Sequence, residues 1–342
     1  MYRNTHKSLL LGGIGIGLVL LTLVGTILSS IQSVNATESN PNDLAMAWQD
    51  GATPGAAATM NPLLQSDLKI LSGNVQRPNG ITFFDGYLYT SCSGDFTVYR
   101  LDADTGDTVT YIAGVQNTHT LYIEQGDDGP VIWVADFQRN ALSYIQTEPR
   151  ALENVKQGLG SPWGLAPAAD GSFYVTQFAT DDIVNIKRDG TLNVTATGFR
   201  NPTGIVVDGN YIYVGNNGSA RRAIEYFEYT PGSAPVTEQD LKPLVSGLQN
   251  VTTIVTGPDN WLYFAYSLGT RGIVGRVNPQ TCRDKGGCIN ADVEIVLWSE
   301  LSAPLAGLVI APDMRLFVHT MFGSEIYWAQ LPENLNPRPT SS

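Results

Sequence analysis

The chain has 342 residues, with 20 Lys and Arg against 32 Asp and Glu, a formal net charge of −12. That balance repels phosphate backbones, and the only basic pair of note is Arg221-Arg222, so nucleic acid is excluded as a partner. The length would allow two domains, yet one repeating pattern fills about 265 residues without a break, which is the size of a single ring of sheets.

Arg3 and Lys7 precede an apolar, uncharged run from Leu9 to Leu28, and Val34-Asn35-Ala36 then offers an acceptable end for a signal peptidase. Residues 1–36 therefore read as a signal peptide or an uncleaved membrane anchor, since such a run just crosses a bilayer at about 1.5 Å per residue. The leading positive charges put the rest outside the cytoplasm in both cases, periplasmic or secreted. Removing two basic residues and no acid leaves −14. Residues 37–66 are rich in Ala, Gly, Pro and Asn without a period and read as a flexible linker.

From residue 67 to 331 the sequence repeats. The unit at Ser161 is clearest: SPWGLAPAADG, SFYVTQFATDD, IVNIKRDG and TLNVTATG are four short strands parted by turn residues. Matching units open at Arg77, His119, Asn201, Asn250 and Pro304. Gly164 to Gly204 spans 40 residues, Gly204 to Thr253 49, and Thr253 to Gly307 54, the spacing of propeller blades. Asp85-Gly86, Asp128-Gly129, Asp170-Gly171, Asp189-Gly190 and Asp208-Gly209 are tight-turn dipeptides. Trp133, Trp261, Phe173, Tyr174 and Tyr213 fall at strand positions that predict burial between blades.

A short outer strand precedes every unit, the first at Leu68 with no unit before it, while the last unit has only three strand-like runs. The economical closure has Leu68 to Ser72 completing the last sheet. This predicts an all-β, six-bladed propeller without open ends, which removes two aggregation-prone edges. Residues 332–342 are expected to be a disordered tail.

Cys282 and Cys288 bracket RDKGG in an insertion of the fifth unit and are expected to form a disulfide contributing roughly 2 kcal/mol. Cys92 is left alone, with no neighbouring histidine to activate it. Asp102 to Asp107 (DADTGD) starts like a calcium loop but has Ala113 where the bidentate Glu belongs, so it reads as a hairpin. Sequons stand at Asn35, Asn193, Asn217 and Asn250.

In a propeller, the loops that open the innermost strands share one face with the loops between second and third strands. That face is predicted to gather Asn79, His119, Trp163 and Thr203 from the first set. Asp136, Gln177, Asn216, Tyr266, Arg271 and His319 come from the second set and its strand ends. The collection is rich in amides and hydroxyls, with Trp163 expected to be exposed, and suits hydrogen bonding and stacking on a neutral or mildly charged partner. It holds no nucleophile paired with a base, so no catalytic residue is assigned.

Pro162-x-Gly164, Gly171, FYVTQF and Asp189-Gly190 resemble the NHL repeat, and the units at Arg77 and Asn201 resemble the SMP-30/gluconolactonase group of six-bladed propellers. The resemblance implies an axial divalent metal held by a Glu, an Asn and an Asp near the starts of innermost strands. Asn79 matches the Asn, but Trp163, Thr203, Thr252 and Ala306 stand where the Asp is sought and no Glu can be placed. One neutral amide cannot retain a hard cation, so no metal or other cofactor is assigned, and a channel-bound divalent cation is disfavoured. Lyase-type propellers, which the blade pattern also resembles, rely on paired histidines with a carboxylate, and only His119 and His319 lie in the ring. The sequence thus points to an exported, monomeric propeller binding a protein or small molecule. A lactonase-like hydrolase or a lyase with a non-standard site is the alternative, and the membrane enters only through residues 1–36.

Overall fold

The computed structural model describes residues 61–146 and 150–332. The leader, most of the expected linker and the tail from residue 333 lie outside them. Among the described residues no helix is long and apolar enough to cross a membrane.

Six antiparallel sheets form the six blades. Blade 1 runs Pro78–Phe84, Tyr87–Cys92, Thr97–Asp102, Thr108–Ala113, and blade 2 Thr118–Gly126, Gly129–Asp136, Ala141–Gln146, Ala151–Gln157. Blade 3 runs Pro162–Pro167, Phe173–Gln177, Asp182–Ile186, Leu192–Thr197, and blade 4 Pro202–Asp208, Tyr211–Asn216, Ile224–Glu228, Lys242–Ser246. Blade 5 is Gln249–Thr256, Leu262–Leu268, Arg271–Val277, Glu294–Ser302; blade 6 has Leu305–Ile310, Arg315–Thr320 and Ile326–Gln330. Its fourth, outer strand is Lys69–Ser72, antiparallel to Ile326–Gln330 with Lys69 opposite Trp328 and Ile70 opposite Tyr327. The sequence-predicted closure is the one observed.

The core lies between blades, because each twisted sheet buries both faces against its neighbours. Ala166, Tyr174 and Ile183 of blade 3, for example, pack with Ile205, Ile212, Val214 and Phe227 of blade 4. Trp133, Phe173, Tyr174 and Tyr213 are buried as expected. Trp261 is only half-buried, since it sits at a turn beneath the Arg276 guanidinium, 4.2 Å from its ring.

Near the axis, the innermost strands approach so closely that several positions admit no side chain. A Cβ on Gly164 would fall 2.3 Å from Thr203 O, and one on Gly80 2.8 Å from Thr118 O. Hydroxyls stitch four of the six seams. Ser91 Oγ donates to Thr118 O across blades 1 and 2, Thr176 Oγ1 to Thr203 O (2.6 Å) across 3 and 4, Thr203 Oγ1 to Val251 O (2.9 Å) across 4 and 5, and Thr252 Oγ1 to Leu305 O (2.7 Å) across 5 and 6. Each bond satisfies a buried carbonyl that sheet pairing leaves over.

At the periphery a three-fold repeated clasp covers the outer edges of blades 3, 4 and 5. Val236 bridges Ala196 in parallel, Cys288–Ile289 pairs with Val245–Ser246, and Leu63–Leu64 pairs with Leu297–Trp298. Each is followed by a 3₁₀ turn whose aspartate accepts from a backbone N–H: Thr237 N to Asp240 (3.3 Å), Ile289 N to Asp292 (2.9 Å) and Leu64 N to Asp67 (2.7 Å). The segments LLQSDLK, VTEQDLK and CINADVE are thus copies of one device. The linker expected to run through residue 66 therefore gives way to ordered chain at Leu63, because Leu63 and Leu64 gain backbone partners on blade 5. The Cys282–Cys288 disulfide is formed and ties the helix Pro279–Asp284 to its clasp. Cys92 is buried, and burial pushes its thiol up to about 12.

Gly164→Ala is expected to cost roughly 1–3 kcal/mol through overpacking against a backbone carbonyl. Gly73→Ala, where nothing lies within 4 Å of the added Cβ, should stay within about 0.5 kcal/mol. Urea unfolding of both variants checks the contrast.

Candidate functional site at the mouth of the axis

The same kink opens the innermost strand of four blades. Arg77, Ser161, Asn201 and Asn250, each one residue before its strand's buried opening segment, have φ between 50° and 56°, so the left-handed turn there belongs to the architecture. It aims the next-but-one residue at the axis. The resulting ring is Asn79, His119, Trp163, Thr203, Thr252 and Ala306, all buried.

Trp163, read from the sequence as exposed, is only 8% accessible because it reaches across the ring. Its Nε1 donates to Thr252 O (3.0 Å), joining blade 3 to blade 5. Its indole stacks on His119 with centroids 3.5 Å apart and planes 4° from parallel. Phe137 stands edge-on to both rings, at 5.5 Å from His119 and 5.8 Å from Trp163, and Phe178 stacks beside Trp163 at 5.3 Å. Trp163 and His119 are buried, and the aromatic cluster meets solvent through the half-buried Phe137 and Phe178. Sequence reasoning passed over Phe137 and Phe178, although each directly follows a residue it chose, Asp136 and Gln177.

Those polar neighbours do different work. Asp136 accepts from the backbone N–H of Gln116 (2.8 Å), Asn117 (3.3 Å), Gln138 (3.2 Å) and Arg139 (3.0 Å). Gln177 accepts from Gly160 N (2.7 Å) and donates to Asp182 (2.8 Å). Asn216 accepts from Arg200 N (3.0 Å) and donates to Arg222 O (2.7 Å) and Glu225 (2.8 Å). All three end second strands and hold the loop that opens the innermost strand. Thr203 spends its hydroxyl on the seam. Tyr266 shares a strand face with Leu262 and Phe264 and turns into the core between blades 4 and 5, where burial pushes its hydroxyl up to about 12. Arg271 is half-buried at the start of a third strand. The structure therefore brings Asn79, His119, Trp163 and Thr203 to the axis and leaves Tyr266 elsewhere.

His319 is fully buried with Nε2 against Gly307, 2.3 Å from where a Cβ would stand. Its Nδ1 lies 3.3 Å from Thr320 O. Burial holds His319 down at about 4, opposed only by that bond, and burial followed by the neighbouring His319 charge holds His119 down at about 3. Both imidazoles are neutral at ordinary pH. Asn79 Nδ2, His119 Nδ1 and His319 Nε2 are buried without hydrogen-bond partners.

This ring does not fit a hard divalent cation. It contributes one amide, hydroxyls already engaged and one neutral imidazole, with an indole lying across the centre and no carboxylate. Among the described residues no group of three or more His, Cys, Asp and Glu side chains is placed to hold a metal ion.

No protein-family model matches the sequence, and no curated protein matches it. Solved structures do. A gluconolactonase from Xanthomonas campestris aligns at TM-score 0.61 and 16% identity, over 78% of this chain and 89% of that one. Regucalcin, a calcium-binding protein from Agrobacterium tumefaciens, aligns at 0.58 and 12%, over 80% and 96%. A catalytically inactive virginiamycin B lyase from Staphylococcus aureus, crystallised with quinupristin, aligns at 0.53 and 18%, over 78% and 99%. The chain is similar to these six-bladed propellers in fold.

Because unfolded imidazoles titrate near 6.5, the unfolded chain takes up protons that folded His119 and His319 refuse. Their contribution to stability is complete above that pH and is lost as pH falls towards 4 and then 3. For His319 the loss is on the order of 3 kcal/mol. Denaturant unfolding across this range should show a shallower pH slope for His319→Gln than for the parent.

Proposed function

We propose that the protein is an exported monomeric propeller, released or held by its N-terminal segment, that binds a protein or small-molecule partner on its loop-rich face. The reading rests on the aromatic cluster at the mouth of the axis, where the half-buried Phe137 and Phe178 flank the buried Trp163. Other loops of the same face add apolar surface, with Phe96 42%, Leu268 45% and Phe322 64% exposed. Exposed apolar groups gathered on one face favour association, and aromatic side chains contribute area at small entropic cost. Catalysis of the lactonase or lyase kind has less support. The first needs a carboxylate-bearing metal ring, and the second needs an acid and a base within reach of substrate, whereas His319 is sealed and neither histidine has a carboxylate partner.

Native mass spectrometry of the chain purified from its own host should retain a partner or ligand, and Trp163→Ala should weaken that retention while leaving the thermal transition cooperative. Unchanged retention would move the site off the mouth of the axis. Near-stoichiometric calcium, zinc or manganese, lost together with a hydrolytic or lyase activity on chelation, would replace the binding reading with the enzymatic one.

A further inference from the structure

Three consecutive blades, 5, 6 and 1, each carry an exposed apolar side chain between second and third strands: Leu268, Phe322 and Phe96. Phe96 is also held against its backbone preference, at φ 59°. The same place in blades 2 and 3 is taken by Asn140 and Asp181, at φ 54° and 58°. Each is the last residue before the third strand, and each carbonyl accepts from the turn that follows the outer strand. Asn and Asp tolerate the left-handed region, whereas a bulky aromatic enters it only under strain. Phe96 thus costs local stability and exposes a large ring as well. Its loop is nonetheless fixed: Phe96 O accepts from Gly114 N (2.7 Å), and Ser93 N and Gly94 N donate to Arg77 O (3.0 Å) and Gln76 O (2.9 Å). The Phe322 loop is fixed by Gly323 N on Thr320 Oγ1 (3.0 Å).

The basic groups of the face sort in the same way. Among the described residues, the guanidinium groups of Arg77, Arg139, Arg221 and Arg271 have no hydrogen-bond, ion-pair or ring partner, while every other described arginine has one. All four stand on the loop face, Arg271 and Arg77 at strand openings in the blades of Leu268 and Phe96. The acids of these loops are engaged, Asp95 by Tyr99 OH and Glu325 by Ser324 N (3.0 Å). Aromatic residues with Arg and without Lys compose a protein interface, whereas a surface for anionic lipid uses Lys as readily. A guanidinium grips a carboxylate with two parallel bonds.

We propose that Leu268, Phe322 and Phe96, with Arg271 and Arg77 of the same blades, dock an acidic segment of a partner protein, its apolar side chains on the rings and its carboxylates on the guanidinium groups. This rests on the reading that the loop face binds a partner, and it places the contact over blades 5, 6 and 1, away from Trp163. A second copy of the chain is a poorer occupant, because the turns between its first and second strands would bring aspartates but no exposed large apolar side chain.

Fluorescence anisotropy of the full-length chain with two capped synthetic peptides, one alternating Glu and Leu and one alternating Lys and Leu, tests this. The Glu peptide is expected to bind, more weakly as salt rises, and the Lys peptide is not. Phe322→Ser, and Arg77→Gln combined with Arg271→Gln, should each weaken binding about tenfold or more, and Trp163→Ala should leave it unchanged. Phe96→Asn should weaken binding yet raise the unfolding midpoint by about 2 °C or more, which a merely structural phenylalanine would not do. No binding of the Glu peptide, equal binding of both, or indifference to Phe322→Ser would overturn the proposal. Recruitment to phosphatidylglycerol vesicles that Phe322→Ser abolishes, without peptide binding, would replace the segment with a lipid surface, and self-association that Phe322→Ser abolishes would replace it with a second copy. Partner retention by the host-purified chain that Trp163→Ala weakens and Phe322→Ser does not would keep the general reading and overturn this one.

Discussion

Everything in this ring depends on one strand pairing, that of Lys69–Ser72 with Ile326–Gln330. The partners come from opposite ends of the folded sequence, so the contact carries a large loop-closure cost and forms late in any assembly that proceeds blade by blade. What it gains is the removal of both open edges. Once blade 6 is complete it packs on blade 1 as every other blade packs on its successor, and the six innermost strands are forced to one axis. The site exists only because of that convergence, since its residues come from different blades and share no local element. The clasps reinforce the arrangement from outside, covering edges that would otherwise present free backbone groups.

Much of this was legible from residue order. The outer-strand segments announced themselves by alternation and a terminal turn, and the surplus one at Leu68 with the shortfall after Leu331 left one sensible closure. The clasps were not recognised, although LLQSDLK and VTEQDLK are alike to the eye. Two residues of parallel pairing leave almost no periodic signal, and the deciding hydrogen bond is local, from an aspartate to a backbone N–H three residues earlier. Leu63 therefore looked like linker.

The candidate site divides along a physical line. Positions counted from the strand openings, Asn79, His119, Trp163 and Thr203, were found because every blade repeats the same step. Polar identity alone could not reveal that Asp136, Gln177 and Asn216 are committed to backbone N–H groups, since a loop carboxylate or amide looks the same in sequence whether it binds a ligand or holds a turn. Tyr266 failed for another reason. Strand alternation puts it on the face of Phe264, towards blade 4, and the choice of face is set by register. Phe137 and Phe178 were missed because an aromatic next to a strand end is by default core.

A ring of sheets ordinarily surrounds a passage. Here the indole of Trp163, fixed to the far side by its bond to Thr252 O, bars that passage near one end. A movement of blade 5 at Thr252 is therefore felt directly by the indole and by the His119 imidazole stacked on it.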